Sequence, residues 1–125
     1  IVVTSSTAGQ FGYPLRSPYA TAKWGIVGLT KTLAMELGPS GVRVNAICPG
    51  AVEGDRMDRV VAMEAAAAGR DEADVRAQYV SGVSMRTWVT ADDLADTVLF
   101  LASPAASKIS GQILAIDGHT ETNAP

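Results

Sequence analysis

The sequence predicts an α/β protein built on a parallel sheet, and three features carry that prediction. Short apolar runs recur at Ile1–Thr4, Val42–Cys48 and Gln112–Ile116. Helix-compatible segments separate them, so strands alternate with helices, as crossover-connected parallel strands require. The first run, Ile1-Val2-Val3, is continuously apolar and β-branched, which suits a strand covered on both faces.

Taken in chain order, Ser5 to Pro18 is rich in Gly, Ser, Thr and Pro and reads as a loop. A helix follows to Leu37, with Ser17 as N-cap and Pro18 at the first helical position, where a missing N–H costs nothing. Its apolar residues, Trp24, Ile26, Val27, Leu29 and Leu33 among them, cover more than one stripe. That predicts burial on two sides, against the sheet and against a partner subunit. Gly38-Pro39 stops the helix, and Pro49-Gly50 ends the second strand. From Glu53 to Ser84 the chain turns charged and alanine-rich, predicting two short helices in a surface lobe. Thr90-Ala91-Asp92-Asp93 reads as a capping box that opens a helix through about Ala102. The third strand closes on an Asp117-Gly118 turn.

Composition limits the function classes. The chain has 125 residues, 47% of them apolar, and a net charge of −3 with acids and bases interspersed. One domain with a real core is expected. The absence of a basic stripe argues against nucleic acid as partner. No stretch approaches the roughly 20 apolar residues of a membrane helix, and no signal-peptide pattern opens the chain. A single cysteine and a single histidine cannot build the usual zinc clusters, so no metal is expected. They also fit a reducing, cytoplasmic setting. Because the chain opens inside a strand without an initiator methionine, it is expected to be a fragment of a longer protein.

The strongest local chemical signal is Tyr19-Ala20-Thr21-Ala22-Lys23. Four residues are slightly more than one helical turn, so phenol and ammonium share a face. A phenol ionises near pH 10, and a neighbouring cation favours its anion, which suits general acid–base work at neutral pH. A Tyr-x-x-x-Lys pair by itself usually decorates a solvated helix. Ser6, after the first strand, lies where loops at the carboxyl ends of parallel strands build active sites. Its hydroxyl could stabilise charge developing on a substrate oxygen. The plainer role for Ser6, or for Ser5, is to satisfy the local backbone at the strand end.

A resemblance joins these pieces. The runs Val3-Thr4-Ser5-Ser6-Thr7-Ala8-Gly9, Pro18 to Lys23, Gly28 to Glu36, Val42 to Gly50, Leu99 to Ser103, and Ser110 to Gly118 occur in order. Together they resemble the C-terminal half of the short-chain dehydrogenase/reductase family, of the 3-oxoacyl reductase-like type. The resemblance implies the C-terminal part of a doubly wound, Rossmann-type parallel sheet, with three strands and flanking helices. It implies an oxidoreductase passing a hydride between NAD or NADP and a small-molecule carbonyl/alcohol substrate, in a homo-oligomer. Tyr19 would be the general acid/base, Ser6 would polarise the substrate oxygen, and Lys23 would support Tyr19 and bond the nicotinamide ribose. Tyr19, Lys23, Pro49, Gly50 and Val52 would line the cofactor, with Gly50 permitting close backbone approach.

Three departures from the family pattern stand out. No glycine-rich phosphate loop is present, no counterpart of the family's active-site asparagine is present, and Gly54 replaces a threonine common after the Pro-Gly turn. The rival expectation is a non-catalytic half-domain or degenerate member acting only in assembly. Residues 1–125 are read as one catalytic half-domain, with 53–84 as its substrate lobe. Cys48 is expected to be a small buried hydrophobe, His119 a solvated side chain, and Trp24 and Trp88 packing residues, with Trp88 nearer substrate or lobe.

Overall fold

The architecture, from a computed structural model that describes residues 1–121, is a three-stranded parallel sheet with helical crossovers. Strands β1 (Val2–Thr4), β2 (Asn45–Pro49) and β3 (Ile113–Ile116) lie in the order β1-β2-β3. Val3 pairs with Ala46, and Ile47 pairs with Leu114. Helix α1 (Ser17–Leu37) makes the first crossover, while α2 (Asp55–Ala68), α3 (Glu72–Tyr79) and α4 (Ala91–Ala102) lie in the second. The predicted alternation, the parallel sheet and both lobe helices are all present.

The core follows from the strand sequence. Along β2, Asn45, Ala46, Ile47 and Cys48 are all buried, because β2 is the central strand. Burial of Asn45 is tolerable because both ends of its carboxamide are bonded: Nδ2 donates to Ile109 O at 2.9 Å, and Oδ1 accepts from Gln112 N at 3.0 Å. One side chain therefore fixes the entry to β3 against the start of β2. A separate small core, Val61, Ala65 and Val75, joins α2 to α3, with Tyr79 and Trp88 packed against it.

The elements differ from expectation in three places. The second strand begins at Asn45 rather than Val42, since Val44 N is bonded by the Ser110 hydroxyl at 3.1 Å instead of a strand backbone. Helix α1 begins at Ser17, so the cap is Arg16, which makes no side-chain cap bond, and the Ser17 carbonyl accepts from Thr21 Oγ1 at 2.9 Å. Burial of α1 on two sides is absent from this chain: only Thr30 is buried, while Trp24 and Leu29 are exposed and Met35 is 81% exposed. The Thr90 capping box is formed as read, Thr90 N donating to Asp93 Oδ2 at 2.7 Å and Asp93 N to Thr90 Oγ1 at 3.2 Å. Among the described residues, no helix is long and apolar enough to cross a membrane.

Candidate active site

Parallel strands place their outgoing loops on one edge of the sheet, and the predicted site residues collect there. Beyond β1, Ser5 N continues the ladder to Ile47 O at 2.8 Å, so Ser5 and Ser6 leave the sheet beside Cys48 and Pro49. Ser6 has extended backbone and caps the 3-10 turn Thr7–Gly9, its Oγ accepting from Ala8 N at 3.1 Å. The plainer role is thus realised. It uses only acceptor capacity, so the hydroxyl proton is left to donate.

Tyr19 and Lys23 share a face of α1 as their spacing requires. Lys23 Nζ lies 5.6 Å from the Tyr19 ring centroid and donates to Thr4 O, the last carbonyl of β1, at 3.3 Å. That contact brings the helix pair to the strand end that carries Ser6. Tyr19 remains 43% exposed, and its ring meets the edge of Tyr13 at 6.3 Å with planes at 75°. Tyr13, with the Arg16 guanidinium 5.9 Å from its ring, is a neighbour that sequence spacing did not point to.

Pro49 and Gly50 continue from β2, with Gly50 N bonded to Ile116 O at 3.0 Å. Packing also calls for glycine at 50. A Cβ there would stand 2.9 Å from Asp117 Cβ, so the glycine is already required by its packing on the β3 turn. Asp117, buried, accepts from His119 N at 2.9 Å and from Thr120 N at 3.2 Å, holding that turn closed. Val52 bridges to Val89, and Glu53 N and Val89 N complete the clasp with Val89 O and Ala51 O, each at 2.8 Å. The 53–84 segment is therefore tied across its base. Its far end is held too: Ser84 N and Met85 N bond His119 O and Gly118 O at 2.9 and 3.1 Å. Gly54, at φ 148°, starts α2 with a backbone that disfavours the threonine expected there.

Inside the lobe, Tyr79 OH donates to Glu64 Oε1 at 2.7 Å. Burial first, then the bond to Glu64, pushes the Tyr79 phenol up to about 12. Arg76 pairs with Asp58 and stacks 5.2 Å from Trp88, whose ring lies 5.6 Å from Tyr79. Trp88 is thus a lobe residue. Tyr13 and Arg16 are close enough to Tyr79 to bear on its titration, so α3 stands near the loop that leads to Tyr19. Cys48 is fully buried, and burial raises its thiol pKa, partly offset by the Ser5 hydroxyl. It behaves as the expected small hydrophobe. His119 is exposed, as expected, and its Nδ1 contacts Ser84 Oγ at 2.5 Å. Among the described residues, no group of His, Cys, Asp and Glu is arranged to hold a metal.

These residues suit the nicotinamide-ribose end of a dinucleotide. Lys23 Nζ spends one donor on Thr4 O, and an ammonium has three. The pyrophosphate end normally rests on a glycine-rich turn at a helix start, and this chain has no such turn.

Comparison with known proteins bears on the family. The profile of the enoyl-(acyl carrier protein) reductase family matches residues 1–119. A 3-oxoacyl-(acyl-carrier-protein) reductase of Thermotoga maritima is 33% identical over 118 residues, which is 94% of this chain and 44% of the relative. A xylitol dehydrogenase with bound NAD+ is 35% identical at a TM-score of 0.84, covering 95% of this chain and 48% of that one. An actinorhodin polyketide ketoreductase variant with NADPH is 31% identical at a TM-score of 0.85, covering 94% and 45%. The chain spans under half the length of the curated relatives it matches. With its ordered motifs, its Rossmann-type sheet and these likenesses, the chain belongs to the short-chain dehydrogenase/reductase family.

Proposed function

We propose that the protein containing this chain is an NAD(P)-dependent oxidoreductase acting on a small-molecule carbonyl/alcohol pair, with Tyr19 as general acid/base. The observation that carries this is the Tyr19–Lys23 pair, with the ammonium 5.6 Å from the phenol ring and anchored on the carbonyl of Thr4, two residues before Ser6. Bound NAD(P)H would supply a hydride to the carbonyl carbon, and NAD(P)+ would take it back from the alcohol. The chain's own work is proton transfer and positioning. In reduction Tyr19 gives its proton to the carbonyl oxygen, and in oxidation it removes the proton from the hydroxyl. Ser6 donates its free proton to the same oxygen as charge develops there. Lys23 holds its positive charge 5.6 Å from the Tyr19 ring and offers its remaining donors to the nicotinamide ribose. Pro49, Gly50 and Val52 form the wall beside the nicotinamide.

We assign 53–84 to the substrate lobe, because it is clasped at both ends while its body makes its own small core. The exposed apolar side chains Trp24, Leu29, Met35 and Leu99 support assembly as a homo-oligomer. The unpaired, buried Cys48 supports a cytoplasmic setting.

Lys23→Met in the full-length protein tests the shared role of the lysine. Both kcat and the affinity for NAD(P)H should fall, the former by about 10²-fold. Parental values of both would remove Lys23 from the site.

A further inference from the structure

We infer that Ser5 is a positioning residue whose hydroxyl sets the Tyr19–Lys23 turn of α1 against the Ser6 strand end. The inference rests on the functional reading above and adds a residue to it.

Ser5 is 3% exposed, and its Oγ donates to the carbonyl oxygen of Lys23 at 2.7 Å. The two residues are 18 apart in sequence, so the bond is a tie between elements and not a local turn. It does not touch the Lys23 ammonium. What it holds is the backbone of the residue that carries the ammonium, one turn from Tyr19. The Ser5 backbone is itself fixed by its bond to Ile47 O at 2.8 Å. The hydroxyl therefore refers the helix directly to the sheet.

Gly9 shows how tightly this junction is closed. A Cβ on Gly9 would lie 2.4 Å from Ser5 Oγ and 2.8 Å from Lys23 O. Real side chains do not sit that close, so the 3-10 turn Thr7–Gly9 rests directly on the Ser5–Lys23 bond. Ser6 caps that same turn through Ala8 N at 3.1 Å. The Ser6 side chain is thus oriented by a turn that is seated on Ser5 and Lys23, and Tyr19 and Lys23 are seated on the same bond from the other side. Cys48, fully buried, also lies against the Ser5 hydroxyl.

Catalysis by positioned groups is sensitive to such a tie: a misplacement of about 1 Å can cost on the order of 10²-fold in rate. Losing the Ser5 hydroxyl should lower kcat by about 10-fold or more while cofactor affinity stays within about twofold, since the donors that hold a ribose remain.

The test compares the full-length parent with Ser5→Ala, Ser5→Cys, Gly9→Ala and Tyr19→Phe, using ethyl acetoacetate with NADPH or NADH as probes. Ser5→Ala, still folded at the assay temperature, should lose kcat with cofactor affinity kept, and Ser5→Cys should recover part of the lost kcat. Gly9→Ala should cost less in the Ser5→Ala background than in the parent, because one of its two clashes is gone. Parental kcat in Ser5→Ala, with Tyr19→Phe inactive, would overturn the inference alone. Tyr19→Phe as active as the parent would overturn the functional reading on which it rests. Failure of both Ser5 variants to fold would make Ser5 a folding residue and overturn the positioning role.

Discussion

Replacing Asn45 by Ala should destabilise the full-length protein more than an ordinary polar-to-alanine change. Asn45 is 1% exposed and serves two backbone groups, donating to Ile109 O at 2.9 Å and accepting from Gln112 N at 3.0 Å. Those groups flank Ser110 and Gly111, on the approach to β3. Ile109 O keeps a second donor, Arg43 Nη1 at 3.3 Å, so Gln112 N is the group that loses its partner. A buried group left without a partner costs about 1–3 kcal/mol, with a further contribution from the void left by the carboxamide. The central expectation is a loss of about 2 kcal/mol, a substantial part of the roughly 5–15 kcal/mol that holds a typical domain together. Urea unfolding followed by far-UV circular dichroism, with the midpoint and slope compared between parent and variant, measures it. Asn45→Asp separates the two bonds: it keeps the acceptor for Gln112 N, loses the donor to Ile109 O and buries a charge. It should be at least as damaging as Asn45→Ala. A loss below about 1 kcal/mol for Asn45→Ala would refute the reasoning, because it would mean that water or a shifted backbone satisfies Gln112 N.

Two further predictions concern the lobe. Hydrogen exchange on the full-length protein should show α2 and α3 opening faster than β2 and β3, with NAD(P)H and substrate slowing them; ligand-free protection equal to that of β2 would exclude a lid. The raised phenol of Tyr79 gives a pH dependence with a defined sign. Its folded value of about 12 lies above the ordinary 10, so its contribution to stability is fully present below pH 10 and is lost as pH rises through about 12. The difference in phenolate absorbance between parent and Tyr79→Phe should therefore titrate near 12, and a midpoint near 10 would show that burial and Glu64 do not act on this phenol.

How much of this was legible in the sequence depends on the range of each interaction. The capping box at Thr90 and Asp93 is local, three residues wide, and was read correctly. So was the shared face of Tyr19 and Lys23, which helix geometry alone dictates. The stop after Leu37 was also visible, although Gly38 stays helical in backbone and the left-handed residue is Gly41 at φ 74°. Val42–Val44 looks like strand because its residues favour one, but a strand needs a partner, and Val44 N meets the Ser110 hydroxyl instead. The contacts that position the site were not legible for the same reason. Ser5 with Lys23, Gly50 with Asp117 and Asn45 with Gln112 join residues 18, 67 and 67 positions apart. No periodicity marks such pairs. Gly9 and Gly50 offered a signal, since glycine outside an obvious turn can mark close backbone approach, but the sequence does not say what approaches.

Removal of the Tyr19 phenolic oxygen is the sharpest test of the proposed proton transfer. Tyr19→Phe in the full-length protein keeps the ring, its edge contact with Tyr13 and the Lys23 ammonium over its face, and removes only the phenolic hydroxyl. Its kcat should fall by roughly 10²- to 10⁴-fold, while the dissociation constant for NAD(P)H stays within about twofold, because the Lys23 donors proposed for the cofactor's ribose remain. A kcat near the parental value would contradict it and would move the proton transfer to a group other than Tyr19.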